Sequence, residues 1–91
     1  MELTKILKIE NDLGLHGRAA AKVVELARKY RSDLFFRKDG NGEVDGENIL
    51  SILTLSGAKG TQLEARAVGD DAEELLNELY HLFRDKFGEG K

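Results

Sequence analysis

The amino-acid sequence predicts an α+β fold, in which four strands form an antiparallel sheet and three helices cover one face, in the order βαββαβα. Three observations support this. Apolar and polar residues alternate over residues 2–9 and again over 61–68, as in half-buried strands. Apolar residues recur at helical spacing in two longer segments. The dipeptides DG and NG at residues 39–42 are typical of a hairpin turn.

Length and composition limit what the protein can be. The 91 residues are expected to form one domain, residues 1–91. A domain of this size buries only about 60–65% of its unfolded surface, so a deep catalytic cavity is not expected. The absence of cysteine excludes disulfides and thiolate chemistry. A net charge of −3 with mixed signs argues against a nucleic-acid partner, and no apolar run is long enough for a membrane span. A cytoplasmic protein without a membrane partner is therefore expected.

The first half of the chain alternates between the two periodicities. A strand is predicted over residues 2–9, because Leu3, Leu7 and Ile9 share one face. A polar loop containing glycine follows, and from Arg18 a helix is predicted. Its apolar side is formed by Ala19, Ala20, Val23, Val24, Ala27 and Tyr30. Two short strands around a tight turn are predicted within residues 32–48.

The segment ENILSILTLSG, residues 47–57, is ambiguous. Its apolar density suits a buried strand, but the spacing of Ile49, Leu50 and Leu53 before a closing glycine favours a short helix. The next segment, TQLEARAV, is predicted to be a strand, because every second residue is apolar.

The strongest predicted helix covers residues 69–87. Asp70 and Glu73 form a D-x-x-E pattern that predicts a capping box, and acidic residues fill the first turn. The apolar stripe consists of Leu75, Leu76, Leu79, Leu82 and Phe83. The remaining residues, GEGK, are expected to be a frayed tail.

Three other patterns are weak candidates for sites. DGNGEVDGE at 39–47 starts like a calcium loop, but Val44 occupies the position of the required glycine and Leu50 that of the bidentate acid. SGAKGT at 56–61 lacks the frame of a phosphate-binding loop and is expected to be a turn. His81 has no second ligand at metal spacing, so a structural role is expected. No metal or cofactor is expected.

His16 differs from these candidates, because it lies where a loop ends and a helical pattern begins. The first N–H groups of a helix lack intrahelical partners and favour an anion by ~0.3–1 kcal/mol. The planar guanidinium of Arg18 suits phosphate, and Gly14 and Gly17 leave room for close approach. Two interpretations follow from the residues: an imidazole that accepts a phosphoryl group, or a structural histidine at a helix N-terminus.

The stretch GLHGRAAAKVV, residues 14–24, resembles the active-site segment of the histidine-containing phosphocarrier protein family, HPr, whose usual pattern is G-L-H-[ST/A]-R-P-A. The resemblance covers nearly the whole chain, since residues 51–76 look like the second helix, the A-K-G turn, the last strand and the closing helix of that family. Residues 35–50 and 58–69 are similar to the nitrogen-related branch, NPr. The resemblance implies an open-faced β-sandwich that acts as a carrier in the bacterial phosphoenolpyruvate-dependent phosphotransferase system.

The resemblance also implies roles for residues. His16 would accept a phosphoryl group on Nδ1 from phosphorylated Enzyme I and pass it to an EIIA-type protein. Arg18 would steady this group, and the backbone N–H groups of Gly17 and Arg18 would donate to it. The chain would be a shuttle rather than a stand-alone enzyme, and a monomer is expected. Three apolar residues would form part of the partner-docking surface, although core packing is expected for at least one of them: Ile49, Leu50 and Leu53.

The sequence departs from the family pattern at three positions. Gly17 replaces a hydroxyl residue or alanine, which loosens the helix start. Ala19 replaces proline and restores an N–H group, as a further donor near the phosphate or a group for water to satisfy. Asn48 stands where some members carry a regulatory serine; it is a good N-cap without a phosphorylatable hydroxyl, so no kinase regulation is expected there.

Two other functions remain as alternatives. The chain could be a regulatory interaction module of a nitrogen-type phosphotransferase system, whose partner binding is switched by phosphorylation of His16. A carrier passes phosphate on quickly, whereas a switch holds it. A hydrolase with His16 as general base is disfavoured, because no serine, cysteine or carboxylate in the segment completes a catalytic set.

Overall fold

Strands and helices alternate in the predicted order βαββαβα. The computed structural model describes residues 1–91. The elements are β1 (Glu2–Lys8), α1 (Gly17–Ala27), β2 (Asp33–Arg37), β3 (Val44–Asp45), α2 (Ile49–Leu53), β4 (Gln62–Val68), α3 (Ala72–Arg84) and a 3-10 turn (Lys86–Gly88). None of the helices has the length and apolar character that crossing a bilayer requires.

The four strands form one antiparallel sheet in the order β1-β4-β2-β3. Leu7 of β1 lies opposite Leu63 of β4, and Phe36 of β2 lies opposite Ala65 of β4. All four side chains are buried, because alternate residues of each strand point to the same face. The predicted α+β fold, an open sheet with three helices, is confirmed.

The buried face of the sheet and the helices form a single hydrophobic core. The predicted apolar stripes of α1 and α3 belong to it, except that Leu82 is only partly buried and Tyr30 lies beyond the end of α1, partly buried at the margin of the core. The other face of the sheet carries charged pairs. The guanidinium of Arg66 lies 2.6 Å from the Glu43 carboxylate and 4.5 Å from the centroid of the Phe35 ring. One layer of helices therefore covers one face of the sheet.

The ambiguous segment 47–57 contains a helix, as its spacing predicts. The side chain of Asn48 accepts a hydrogen bond from the backbone N–H of Ser51 at 3.2 Å and caps α2. The residue of α2 that enters the core is Ile52, followed beyond the helix by Leu55. The expectation that Ile49, Leu50 or Leu53 packs in the core is wrong, since these three lie on the opposite side of α2 and are exposed.

The predicted capping box at the start of α3 is wrong. The N-cap is Asp71 rather than Asp70, and its side chain makes no hydrogen bond within the helix. Its carboxylate instead accepts hydrogen bonds from the backbone N–H groups of Arg31 and Ser32, both at 2.9 Å, and from the hydroxyl of Ser32 at 2.5 Å. Asp71 therefore joins the start of α3 to the loop between α1 and β2.

These hydrogen bonds, chiefly that from the Ser32 side chain, lower the pKa of Asp71. A lowered pKa in the folded state stabilises the fold above the ordinary carboxyl pKa of about 3.9, and this contribution is lost as the pH falls through the lowered value. We therefore expect Asp71→Asn to lower the Tm at pH 7 and to differ less from the parent at pH 3. Thermal melts at both pH values measure this.

Asp70→Asn is the matched control, because it changes an exposed carboxylate one residue earlier. A difference between parent and Asp71→Asn that stays constant from pH 7 to pH 3 would contradict the role given to the ionised carboxylate.

The chain after α3 also differs from the prediction. α3 ends at Arg84, and Lys86 and Phe87 adopt positive φ angles of 56° and 55°. Phe87 is fully buried, with its ring centroid 4.9 Å from that of Phe83. The expected frayed tail is wrong for Glu89, whose carboxylate is hydrogen-bonded to two side chains described below. Residues 85–91 are therefore packed against the domain.

Candidate functional site

His16 occupies the N-cap of α1, at the junction predicted from the sequence. Its backbone is extended, with φ −80° and ψ 179°, and its carbonyl oxygen accepts the first helical hydrogen bond from Ala20 at 2.8 Å. The backbone N–H of Arg18 donates to Nδ1 of His16 at 3.2 Å. Ring atom Nδ1 therefore faces the N–H groups at the start of the helix, where anions are favoured.

The partners of the ring determine which nitrogen carries the proton. A backbone N–H only donates, so Nδ1 of His16 carries no proton and its electron pair accepts this hydrogen bond. Ring atom Nε2 lies 2.5 Å from the carboxylate oxygen Oε2 of Glu89, which only accepts when ionised. The proton therefore resides on Nε2. About 27% of the His16 side chain is exposed, so the ring is accessible from solvent.

The carboxylate of Glu89 is held on its other side by Asn11. The side-chain amide of Asn11 is fully buried and donates to the Gly14 carbonyl and to Oε1 of Glu89, both at 2.8 Å. Partial burial opposes ionisation of Glu89, but the hydrogen bonds from Asn11 and His16 lower its pKa below the usual range. The carboxylate is therefore ionised near neutral pH.

The loop that carries His16 is fixed by Gly14. This residue has φ +72°, and its N–H donates to the Asn11 carbonyl at 3.2 Å. The next residue, Leu15, is buried and donates its N–H to the carbonyl of Gly57 at 2.8 Å. The loop is therefore attached to the segment that follows α2.

Charged residues of both signs, with cations in slight excess, line a shallow depression beside the site. Its volume is about 550 Å³, and its lining includes the cationic residues Arg18, Lys22 and Lys91 and the acidic residues Asp12 and Glu89. The ammonium of Lys22 also donates to the backbone carbonyl of Phe87 at 2.5 Å. The guanidinium of Arg18 and the helix N-terminus together provide charge and donors suited to a phosphoryl group.

The structure brings together the site residues predicted from the sequence. His16, Gly17 and Arg18 form the start of α1, and α2 packs against α1. The predicted docking residues Ile49, Leu50 and Leu53 share the exposed side of α2, with 75% of Leu50 accessible. Two residues of the site were not predicted, Asn11 and Glu89.

Nothing in the sequence pattern indicated Asn11 or Glu89. Asn11 is separated from Glu89 by 78 positions, and His16 is separated from Glu89 by 73. Short-range spacing cannot report such contacts, and the glycines on either side of Glu89 suggested a frayed tail.

Comparisons with known proteins agree with this geometry. The family model "PTS HPr component phosphorylation site" matches residues 3–85. The phosphocarrier protein HPr of Pseudomonas aeruginosa is 38% identical over 85 residues, which cover 93% of this chain and 94% of that protein. The phosphocarrier protein NPr of Escherichia coli is 34% identical over 89 residues, which cover 98% of this chain and 99% of that protein.

Solved structures show the same likeness. The crystal structure of HPr-C-His from Thermoanaerobacter tengcongensis has a TM-score of 0.86 at 38% identity, and the alignment covers 98% of this chain and 97% of that one. HPr from Bacillus anthracis has a TM-score of 0.82 at 31% identity, over 88% and 94% of the two chains. The chain therefore belongs to the HPr family of phosphocarrier proteins of the phosphotransferase system.

Proposed function

We propose that His16 is the residue that carries the phosphoryl group, receiving it on Nδ1 from a phosphohistidine of Enzyme I and passing it to a histidine of an EIIA-type protein. The observation that supports this most directly is the hydrogen bond from the backbone N–H of Arg18 to Nδ1. It places the unprotonated Nδ1 at a helix N-terminus, two residues before Arg18, whose side chain lines the adjacent depression.

The transfer balances with these groups. The electron pair of Nδ1 of His16 attacks phosphorus and forms a new N–P bond, while the N–P bond of the donor breaks and its electrons return to the donor imidazole. The N–H of Arg18 then donates to a phosphoryl oxygen instead of to Nδ1, and its guanidinium offsets the added negative charge. Because the site is shallow, the phosphoryl group stays accessible to the next protein.

The exposed side of α2 supports a docking role for Ile49, Leu50 and Leu53. These apolar side chains are accessible on the helix that packs against α1, and Leu13, three residues before His16, is 70% exposed. A partner that covered them would bury apolar surface on α2 and on the loop that carries His16. We propose that a monomer of this chain binds its partners here, in the cytoplasm.

Asn48 supports the absence of serine regulation at the start of α2. It caps the helix with an amide, and the nearest hydroxyl, that of Ser51, lies within the helix and is partly buried. Phosphorylation of Asn48→Ser by a kinase specific for the regulatory serine, without phosphorylation of the parent, is the expected result. Phosphate on Ser51 of the parent would contradict it.

A regulatory module is the second candidate, and the similarity to NPr favours it. Such a protein would hold its phosphoryl group and change partners, whereas a carrier would transfer it rapidly. Quenched-flow transfer from the phosphorylated protein to an EIIA-type acceptor separates the two, since slow transfer combined with phosphate-dependent binding would identify a switch.

Intact-mass spectrometry after incubation with phosphoenolpyruvate, magnesium and Enzyme I tests the proposed role of His16. We expect an acid-labile gain of one phosphoryl group in the parent and none in His16→Ala. The matched control is His81→Ala, which removes the other histidine, on the exposed part of α3, and should be phosphorylated like the parent. Phosphorylation of His16→Ala, or none of the parent with a cognate Enzyme I, would refute the proposal.

A further inference from the structure

We infer that Glu89, held by Asn11, is a positioning residue that keeps the proton of His16 on Nε2, leaves Nδ1 as the nucleophile, and balances the positive charge of the phosphorylated ring. This inference rests on the proposed function of His16. The structural observation behind it is a hydrogen-bonded series of three side chains, in which both Asn11 and His16 donate to Glu89.

The series is fixed at its inner end. Asn11 is fully buried, and both of its amide hydrogens are used, one by the Gly14 carbonyl and one by Glu89. This orientation leaves Oδ1 of Asn11 without a hydrogen-bond partner, which costs stability. The amide of Asn11 is therefore oriented so that both of its hydrogens are bonded, although its oxygen has no donor.

The burial of Glu89 is intermediate between those of its partners, since 12% of its side chain is exposed, against 27% for His16 and none of Asn11. Its two carboxylate oxygens have different donors: Oε1 accepts a hydrogen bond from the amide of Asn11, and Oε2 accepts one from Nε2 of His16. A carboxylate bound at both oxygens has little freedom to rotate, so it fixes both the plane of the imidazole and the site of its proton.

The contact between Glu89 and the His16 ring has a function in the phosphoryl transfer. When Nδ1 attacks phosphorus, the ring becomes an N-phosphoimidazolium, because the proton on Nε2 stays in place. The donor, an N-phosphoimidazolium before transfer, leaves as a neutral imidazole. Glu89 meets the charged ring at Nε2, across the ring from the incoming phosphoryl group. The carboxylate thus stabilises the ring charge without lying where the phosphoryl group arrives.

A structural role for Glu89 would have a different effect. Residues 85–91 are already attached to the domain by buried Phe87 and by the hydrogen bond from Lys22 to the Phe87 carbonyl. Removing the Glu89 carboxylate should therefore leave the fold intact, whereas removing a residue that only anchored the segment would leave the chemistry of His16 unchanged.

The test compares Glu89→Gln, Glu89→Ala and Glu89→Asp with the parent. Both Asn11 and His16 donate to Glu89, so the glutamine amide can accept only one of these hydrogen bonds with its single oxygen. Glu73→Gln is the matched control, because it removes the same charge at the exposed opposite end of α3, about 20 Å away.

Two readouts separate positioning from structure. Nitrogen-15 NMR of the neutral His16 ring should show a larger population with the proton on Nδ1 in Glu89→Ala than in the parent. Single-turnover phosphorylation by Enzyme I should be about tenfold slower in Glu89→Gln, at unchanged KM, with partial recovery in Glu89→Asp. A lower Tm is expected in Glu89→Ala, because the buried amide of Asn11 loses an acceptor, so the tautomer and the transfer rate, and not the Tm, distinguish positioning from anchoring.

Parental tautomer populations and transfer rates in both Glu89→Gln and Glu89→Ala would overturn the inference while leaving the proposed function intact. If the parent itself fails to be phosphorylated on His16, the proposed function fails, and the NMR comparison alone then decides whether Glu89 sets the tautomer. Glu73→Gln should match the parent in both readouts, and a slower control would attribute the effect to net charge and overturn the inference.

Discussion

Replacement of Phe87 by alanine is expected to lower the free energy of unfolding by about 3–5 kcal/mol, which is the usual cost of removing a buried phenyl ring. Phe87 is fully buried and packs edge-on against Phe83, which in turn lies near Phe36 in the core. This loss is a large part of the total stability of a small domain, which is about 5–15 kcal/mol. At about 4 °C or more per kcal/mol, it lowers the Tm by at least about 12 °C. Urea and thermal unfolding followed by circular dichroism measure it.

The matched control for Phe87→Ala is Tyr80→Ala, which removes a partly exposed aromatic ring of α3. Its expected cost is about 1 kcal/mol or less, since Tyr80 is 37% exposed and lies outside the buried core. Equal losses of unfolding free energy in the two variants would contradict the placement of Phe87 in the core.

Replacement of Gly14 by alanine is the second change with a large expected effect, a loss of more than about 2 kcal/mol. Gly14 has φ +72°, where a side chain costs about 1–2 kcal/mol. An added Cβ would also lie well inside van der Waals distance of the backbone carbonyl oxygen of Gly57, which cannot move as a side chain does. Unfolding in urea measures this loss.

The effect of Gly14→Ala should extend to the site, since the loop carries His16 two residues later and its Gly14 carbonyl binds Asn11. We expect slower phosphorylation of the folded variant. Gly17→Ala is the stability control, because a Cβ there meets no atom within 4 Å and the residue lies at the start of α1. It should raise stability by about 0.5–1 kcal/mol or leave it unchanged. A comparable loss in both variants would contradict the close approach of Gly14 and Gly57.

Local patterns were enough to predict most of the fold. The alternation of Leu63, Ala65 and Ala67 predicts β4 because one face of the sheet is buried. The start of α3 could not be predicted in this way. Asp71 accepts hydrogen bonds from Arg31 and Ser32, about 40 positions earlier, rather than from its own helix. The capping pattern of Asp70 and Glu73 is a purely local signal and does not include that loop.

The same difference between local and long-range contacts separates the predicted residues of the site from the missed ones. His16 and Arg18 were predicted because the features that position them, a glycine-containing loop and the start of a helix, are adjacent in sequence. Asn11 and Glu89 were missed because each acquires its role from the other across 78 positions. Phe87 was assigned to the last helix, whereas its positive φ turns the chain toward the site.

The long separation between His16 and Glu89 has a consequence for the order of events during synthesis. His16 and its loop leave the ribosome early, whereas Glu89 follows only after all four strands and α3. A nascent chain that extends only to Arg84 already contains every strand and helix but lacks the carboxylate that faces the ring. The histidine is therefore synthesised 73 positions before the carboxylate that faces it, and its surroundings can be completed only after Phe87 has entered the core and Glu89 has reached the ring.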